Sequence, residues 1–261
     1  MIKFVTIPLL ILTFLIPVPG NTFAGDPDPA TMKKNIEELA KYFEGKGYAF
    51  NEMLDDPRYE PVENITLKFT RAAERVIEDF SEYQKVLNYD NKKRLIRNFM
   101  QEYASDLESA EKEYGIPKNV IAGILGVESE FGKYGGTYNP FNVYVSMYAE
   151  GHRAEFARAQ LEELLIFVEK NELDVFELKS SYAGAMSYAQ FIPYSLNRWW
   201  VGKDLYHMPN NINSVAKYLA HFKEITGTVE GAIYRYNPSD LYTQAVLSLA
   251  NEVEEVADDT K

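Results

Sequence analysis

Apolar residues recur along this chain at helical rather than strand spacing. From Gly115 to Gly132 the run Gly-Ile-Pro-Lys-Asn-Val-Ile-Ala-Gly-Ile-Leu-Gly-Val-Glu-Ser-Glu-Phe-Gly places Val120, Ile121, Ile124, Leu125, Val127 and Phe131 on one broad face at about 100° per residue. Lys118, Asn119, Ser129 and Glu130 fall on the other face. Pro117 suits a first helical turn, where a missing N–H costs nothing, and Gly132, Gly135 and Gly136 predict the stop. Other stretches repeat the pattern. Leu95, Phe99, Tyr103 and Leu107 predict one helix over Asp90 to Glu113, and Ala157, Leu161, Leu164, Leu165 and Val168 predict another over Arg153 to Lys170.

Weaker periodicity predicts helices over Met32 to Phe43 and Ile65 to Tyr83, and again over Ile212 to Phe222 and Leu241 to Val256. Val143 to Tyr148 is a short apolar piece. Asp55 to Glu63, with Pro57 and Pro61, reads as loop, and Leu178 to Tyr194 is rich in small residues that permit close backbone approach. No stretch alternates with period two and no internal repeat stands out. The expected class is all-α, a helical domain around a cleft.

One residue breaks the pattern of the Gly115–Gly132 stretch. Glu128 lies one turn beyond Ile124 and two beyond Ile121, so it projects from inside the apolar arc, whereas Glu130 projects away from it as a surface charge. Burial there disfavours the ionised form and raises the pKa, which is what a general acid requires. A solvated glutamate, or one paired with a buried arginine, is the competing reading of the same position.

Composition narrows the chemistry. The 261 residues are 46% hydrophobic and 25% charged, enough to bury a substantial core in one domain or two lobes. Met1 to Val18 carries Lys3 and then an apolar run shorter than the ~20 residues of a spanning helix. With Thr22-Phe23-Ala24 before Gly25, it predicts an export signal over residues 1–24 and a periplasmic address. The chain contains no cysteine, which excludes disulfides, thiolate metal sites, a cysteine nucleophile and a lipid-modified cysteine. A net charge of -12 without a Lys/Arg-rich run disfavours nucleic acid as a partner.

His152, His207 and His221 show no metal-ligand spacing. A Gly-x-Ser-x-Gly elbow and a phosphate-cradling glycine loop are both absent. Tyrosine is abundant, at 19 copies. Tyr138, Tyr182, Tyr188, Tyr236 and Tyr242 flank polar stretches, where tyrosines either stack on sugar rings or pack in the core. Stretches expected near Glu128 offer amides, hydroxyls and tyrosines but no second carboxylate, unlike a two-acid glycosidase.

Four motifs in order, Gly123-Ile-Leu-Gly-Val-Glu-Ser-Glu-Phe-Gly132, Arg153-Ala-Glu-Phe156, Ser181-Tyr-Ala-Gly-Ala-Met-Ser-Tyr-Ala-Gln-Phe-Ile-Pro193 and Arg235-Tyr-Asn-Pro-Ser239 with Tyr242, resemble the membrane-bound lytic transglycosylase B family. The resemblance runs from about Ile65 to Val256 and implies a lysozyme-like catalytic domain there, after a spacer and short helix over 25–64 and before a tail at 257–261. It implies that Glu128 is the sole catalytic carboxylate, acting on the MurNAc–GlcNAc bond of peptidoglycan. It further implies that Ser181 bonds that carboxyl and that Gln190 and Asn237 contact substrate, with Arg153, Tyr182, Tyr188 and Tyr236 lining the cleft.

Departures from the family pattern also carry expectations. Ser129 stands where Thr is frequent, and Ser187 replaces a usual glycine, a change bearing on the backbone near the substrate. The run after Pro193 lacks the oxygen-ligand series of a calcium loop, so no metal and no cofactor are expected. The short Ala216–Tyr236 interval leaves no room for an added β-rich lobe. A monomer acting on glycan strands, with a cell-wall machinery partner for targeting, is the expected setting. A hydrolytic muramidase and a non-catalytic glycan-binding protein remain the alternatives.

Overall fold

Helical spacing is realised along the described chain, residues 28–73 and 77–253 of a computed structural model. The expected export signal over 1–24 and the tail at 257–261 lie outside the described residues. In chain order the helices are α1 (Pro29–Glu44), α2 (Phe50–Leu54), α3 (Ile65–Ala73), α4 (Phe80–Val86), α5 (Tyr89–Glu102), α6 (Ala104–Tyr114) and α7 (Lys118–Ser129). They continue as α8 (Pro140–Ala149), α9 (Ala154–Asn171), α10 (Pro193–Trp199), α11 (Met208–Thr226), α12 (Val229–Tyr236) and α13 (Asp240–Asn251). Among the described residues extended pairing is limited to isolated bridges, Tyr138 with Ser180, Ser180 with Met186, and Met186 with Phe191. No described helix is long and apolar enough to cross a membrane.

The described chain divides into two units, one of residues 77–134 and 204–253, the other of 28–73 and 135–203. In the first, α7 is the hub, packed by α5, α6, α11 and α13. Being surrounded, it has no solvent face. Every residue from Asn119 to Ser129 is buried, which corrects the polar face that periodicity assigns to Asn119, Ser129 and Glu130. Burying Ile121, Ile124 and Leu125 alone contributes on the order of 1.5–3 kcal/mol each.

Two glycines let neighbours come close to α7. A Cβ on Gly123 would lie 2.8 Å from the Val246 carbonyl oxygen, and one on Gly126 would lie 2.6 Å from the Phe131 ring. Ser129 turns its hydroxyl back to the Leu125 carbonyl at 3.1 Å and accepts the Gly132 amide at 3.0 Å. Pro117 occupies the N-cap position rather than the first turn. The helix ends at Ser129, ahead of the glycines, because Glu130 and Phe131 adopt left-handed backbone at φ 51° and 59°.

Other expectations need adjusting. The single helix expected over Asp90 to Glu113 is two, broken at Tyr103 (φ -109°, ψ 26°). The buried stripe is Tyr89, Lys92, Ile96 and Phe99 on α5, then Leu107 and Ala110 on α6. The stretch Ile65 to Tyr83 holds two helices, α3 and α4. The interval before Tyr236 contains α12, capped at Thr228, whose hydroxyl accepts the Gly231 amide at 2.9 Å.

In the second unit, α8 packs against α1, α3 and α9. Asn139 caps it by accepting the Asn142 amide at 3.2 Å, and Pro140 fills its first turn. The five apolar positions predicted on α9 are all buried.

Candidate active site

Glu128 sits on the last turn of α7 with only 8% of its surface exposed. Its Oε1 accepts the Tyr242 hydroxyl at 2.6 Å. Burial raises its pKa to about 7, partly offset by that hydrogen bond and by the charge of Lys92. A carboxyl shifted in this direction can both give and accept a proton near neutral pH. Burial first, and the Glu128 charge second, push Tyr236 and Tyr242 well above the ordinary tyrosine range, and the same causes raise Tyr83. All three phenols stay protonated, and Tyr242 is the one that donates to Glu128.

Local chemistry explains how Tyr242 reaches it. Pro238 favours extended backbone at Asn237 (φ -143°, ψ 112°), which ends α12. Ser239 restarts the helix as the N-cap of α13, accepting the Tyr242 amide at 3.3 Å. That turn delivers Tyr242 on the first turn of α13, and α13 lies along α7. Asn237 is buried, and its side-chain Oδ1 has no hydrogen-bond partner among the described residues. The Tyr236 ring meets Tyr218 edge-on at 4.8 Å, and Tyr218 donates to the Arg235 carbonyl at 2.7 Å.

Glu130 corrects the expectation of a surface charge. It is 5% exposed because its left-handed backbone turns it inward against α5. There Lys92 Nζ lies 3.7 Å from its Oε2 and Lys133 Nζ lies 2.6 Å from its Oε1.

The remaining predicted residues lie in the second unit, on the loops either side of α8 and on the 178–192 stretch. Tyr144 of α8 donates to the Gly184 carbonyl at 3.0 Å. Gly184 is at φ 80°, and a Cβ there would come within 2.2 Å of the Tyr144 ring, so this small-residue floor is closed to any side chain. The Ser181 hydroxyl accepts the Ala185 amide at 3.2 Å. Ser187 keeps a glycine-like φ of 66°, and its hydroxyl accepts the Ala189 amide at 3.2 Å. The backbone here thus retains a conformation that glycine favours.

Gln190, also left-handed at φ 53°, donates to the Ser187 carbonyl at 2.8 Å while its Oε1 is buried without a partner among the described residues. Tyr182 packs edge-on to Phe69 at 5.1 Å, and Phe69 stacks on His152 at 4.5 Å. Arg153, left-handed at φ 48°, occupies the N-cap position of α9 and lies over the Phe156 ring at 4.2 Å. Burial lowers its pKa. Tyr188 is partly exposed.

Comparison with known proteins places the chain. The transglycosylase SLT domain family matches residues 30–227, three quarters of the sequence. The chain belongs to this family. Its matched span begins within α1, ahead of the Ile65 boundary that motifs alone suggest. The chain is 32% identical over 127 residues to membrane-bound lytic murein transglycosylase B of Escherichia coli K12, covering 46% of this chain and 35% of that protein. It thus spans about a third of the curated relative.

Soluble lytic transglycosylase SltB1 from Pseudomonas aeruginosa shares the fold with a TM-score of 0.76 at 24% identity, over 86% of this chain and 99% of that one. SltB3 from the same organism, solved in complex with NAG-NAM-pentapeptide, gives 0.74 at 19% identity, over 85% and 79%. The fold is the lysozyme-like helical one of these transglycosylases.

Within this SLT-domain chain the predicted site residues divide between the units, Glu128, Tyr236 and Asn237 in the first, and Arg153, Ser181, Tyr182, Tyr188 and Gln190 in the second. Motif reading named Tyr242 without giving it a role, and it missed Tyr83 and Lys92. Lys92 did leave a signal, since it stands four residues before Ile96 on an apolar stripe. Among the described residues no group of three or more His, Asp or Glu is placed to hold a metal ion.

Proposed function

We propose that this protein is a lytic transglycosylase that cleaves the β-1,4 bond between N-acetylmuramic acid and N-acetylglucosamine in peptidoglycan. The observation that carries the reading is the buried Glu128 carboxyl held by Tyr242 at 2.6 Å, with a pKa near neutrality. Family membership supports it, as does the muropeptide bound by the similarly folded SltB3.

In this mechanism Glu128 passes its proton to the glycosidic oxygen as the C1–O bond breaks, freeing the N-acetylglucosamine hydroxyl. The muramoyl C6 hydroxyl then attacks C1, and its proton returns to the Glu128 carboxylate. A 1,6-anhydro ring closes, no water is consumed, and the acid is regenerated. The substrate's N-acetyl carbonyl stabilises the positive charge developing at C1. One acid serves both steps because the nucleophile belongs to the substrate.

Asn237 and Gln190 supply polar contacts to sugar or N-acetyl groups, which suits their buried, unsatisfied amide oxygens. Tyr236 is a candidate substrate contact in the first unit, and Ser181, Tyr182, Tyr188 and Arg153 are candidate substrate contacts in the second. The catalytic domain is placed at 65–256, with 25–64 as a leading segment. The protein works as a monomer in the periplasm, after export, with a cell-wall partner directing it.

Mass spectrometry of digested murein tests the reading. Anhydro-muropeptides are expected, and reducing-end products alone would instead establish a hydrolytic muramidase. Glu128→Gln is expected to abolish digestion; an undiminished rate would mean that Glu128 is not the acid.

A further inference from the structure

The first unit buries a second ionic cluster beside the acid, and the mechanism above does not use it. Lys92 on α5 is 5% exposed. Its ammonium lies 3.7 Å from Glu130 Oε2, two residues past Glu128 where α5 packs on α7. Glu130 already has Lys133 at 2.6 Å, so it has no need of a second cation for neutralisation. A buried ion pair is weak support for stability, because desolving both charges offsets their attraction. Helical spacing calls for an apolar residue at position 92, between Tyr89 and Ile96, both buried.

Counting charges around α7 shows what Lys92 balances. Lys92 and Lys133 both pair with Glu130, and Lys92 also acts on Glu128. With Glu128 protonated the cluster carries one excess positive charge, and with Glu128 ionised it is neutral. The other titratable groups facing Glu128 from the packed elements are Tyr83 on α4, Tyr236 on α12 and Tyr242 on α13, all neutral. Among the described residues, Lys92 is thus the buried cation that acts on the acid.

We propose that Lys92, anchored by Glu130, is a positioning residue for Glu128: it supplies the fixed positive field in which the carboxyl releases its proton and waits, ionised and desolvated, to recover one. Burial pushes the ammonium of Lys92 down to about 8, against the opposing pull of Glu130 and Glu128. Anchoring by Glu130 therefore keeps Lys92 charged at neutral pH, which the role demands.

The inference rests on Glu128 being the acid, and the test separates the two. The full chain is compared with Lys92→Met, Lys92→Arg and Glu128→Gln. Glu128 is titrated by NMR of 13C-carboxyl-labelled glutamate, assigned by loss of its signal in Glu128→Gln, and kcat and KM for murein digestion are followed against pH. Lys92→Met is expected to raise the Glu128 midpoint and the basic limb of the rate profile together by about one pH unit. It should also lower kcat about tenfold with KM unchanged. Lys92→Arg, which keeps the charge, is expected to restore the native midpoint.

A folded Lys92→Met with the native Glu128 midpoint overturns the proposal. If Lys92→Met fails to fold, Lys92→Gln, which removes the charge and keeps a donor for Glu130, takes its place, and the same upward shift is expected of it; a native midpoint there has the same overturning force. Full activity in Glu128→Gln would defeat the catalytic reading instead, and the NMR midpoint would still decide whether Lys92 acts on the carboxyl.

Discussion

Tyr242 and Glu128, 114 positions apart in sequence, meet through a 2.6 Å hydrogen bond in which the phenol donates to the carboxyl. Both side chains are buried, so the bond is made in a medium where water cannot replace it. It stabilises the ionised carboxyl and opposes the upward push of burial.

Tyr242→Phe removes that donor while keeping the ring. Hydrogen bonds to charged groups are worth about 1.5–3 kcal/mol, so kcat should fall about 10- to 100-fold. Because the lost bond favours the carboxylate, the Glu128 pKa should rise and the basic limb of the kcat/KM profile should move to higher pH. A rate profile superimposable on the native one would show that the bond does not act on the reacting carboxyl.

Glu128 also makes folding stability depend on pH, with a sign opposite to that of a salt-bridged carboxylate. Its folded pKa of about 7 lies above the ordinary value of 4.5. Between those values the folded chain holds a proton that the unfolded chain has released, so stability falls as pH rises through this window. The cost above pH 7 is about 3 kcal/mol. Glu128→Gln has no such equilibrium and should be the more stable protein at pH 8, with the gap closing toward pH 4. Denaturant midpoints at three pH values measure this, and a gap independent of pH would refute it.

Gly184→Ala tests the loop floor of the second unit. Its Cβ would sit 2.2 Å from the Tyr144 ring at a φ of 80°, so backbone strain and overpacking add. The expected cost is about 2–5 kcal/mol. Gly47, at φ 91° with nothing within 4 Å of a Cβ, provides the comparison: Gly47→Ala should cost only the conformational part, about 1–2 kcal/mol. Thermal unfolding of the two variants separates contact from conformation, and equal losses would show that Tyr144 yields.

Periodicity made the helices legible, and it made Glu128 visible as a carboxyl on an apolar arc. It failed where a helix has neighbours on every side. Alternation between apolar and polar faces reports one buried face, but α7 is covered by four helices, so Asn119, Ser129 and Glu130 are buried although their residue types suggest solvent. The breaks were harder still. No glycine or proline marks the turn at Tyr103, and the end of α7 falls on Glu130 and Phe131 in left-handed backbone, a conformation that surrounding packing imposes and local sequence does not request.

By itself, then, the sequence determined the all-α class, the order of most elements, and the residue whose burial creates an acid, because these follow from spacing within a few turns of chain. The motifs named the stretches at 181–193 and 235–239. Only the tertiary structure decided what surrounds the carboxyl, since Tyr242, Tyr83 and Lys92 come from three other helices, and the close approach of α13, which carries Tyr242, depends on Gly123 and Gly126. Electrostatic tuning needs distance and desolvation, and both are properties of packed helices rather than of any one of them.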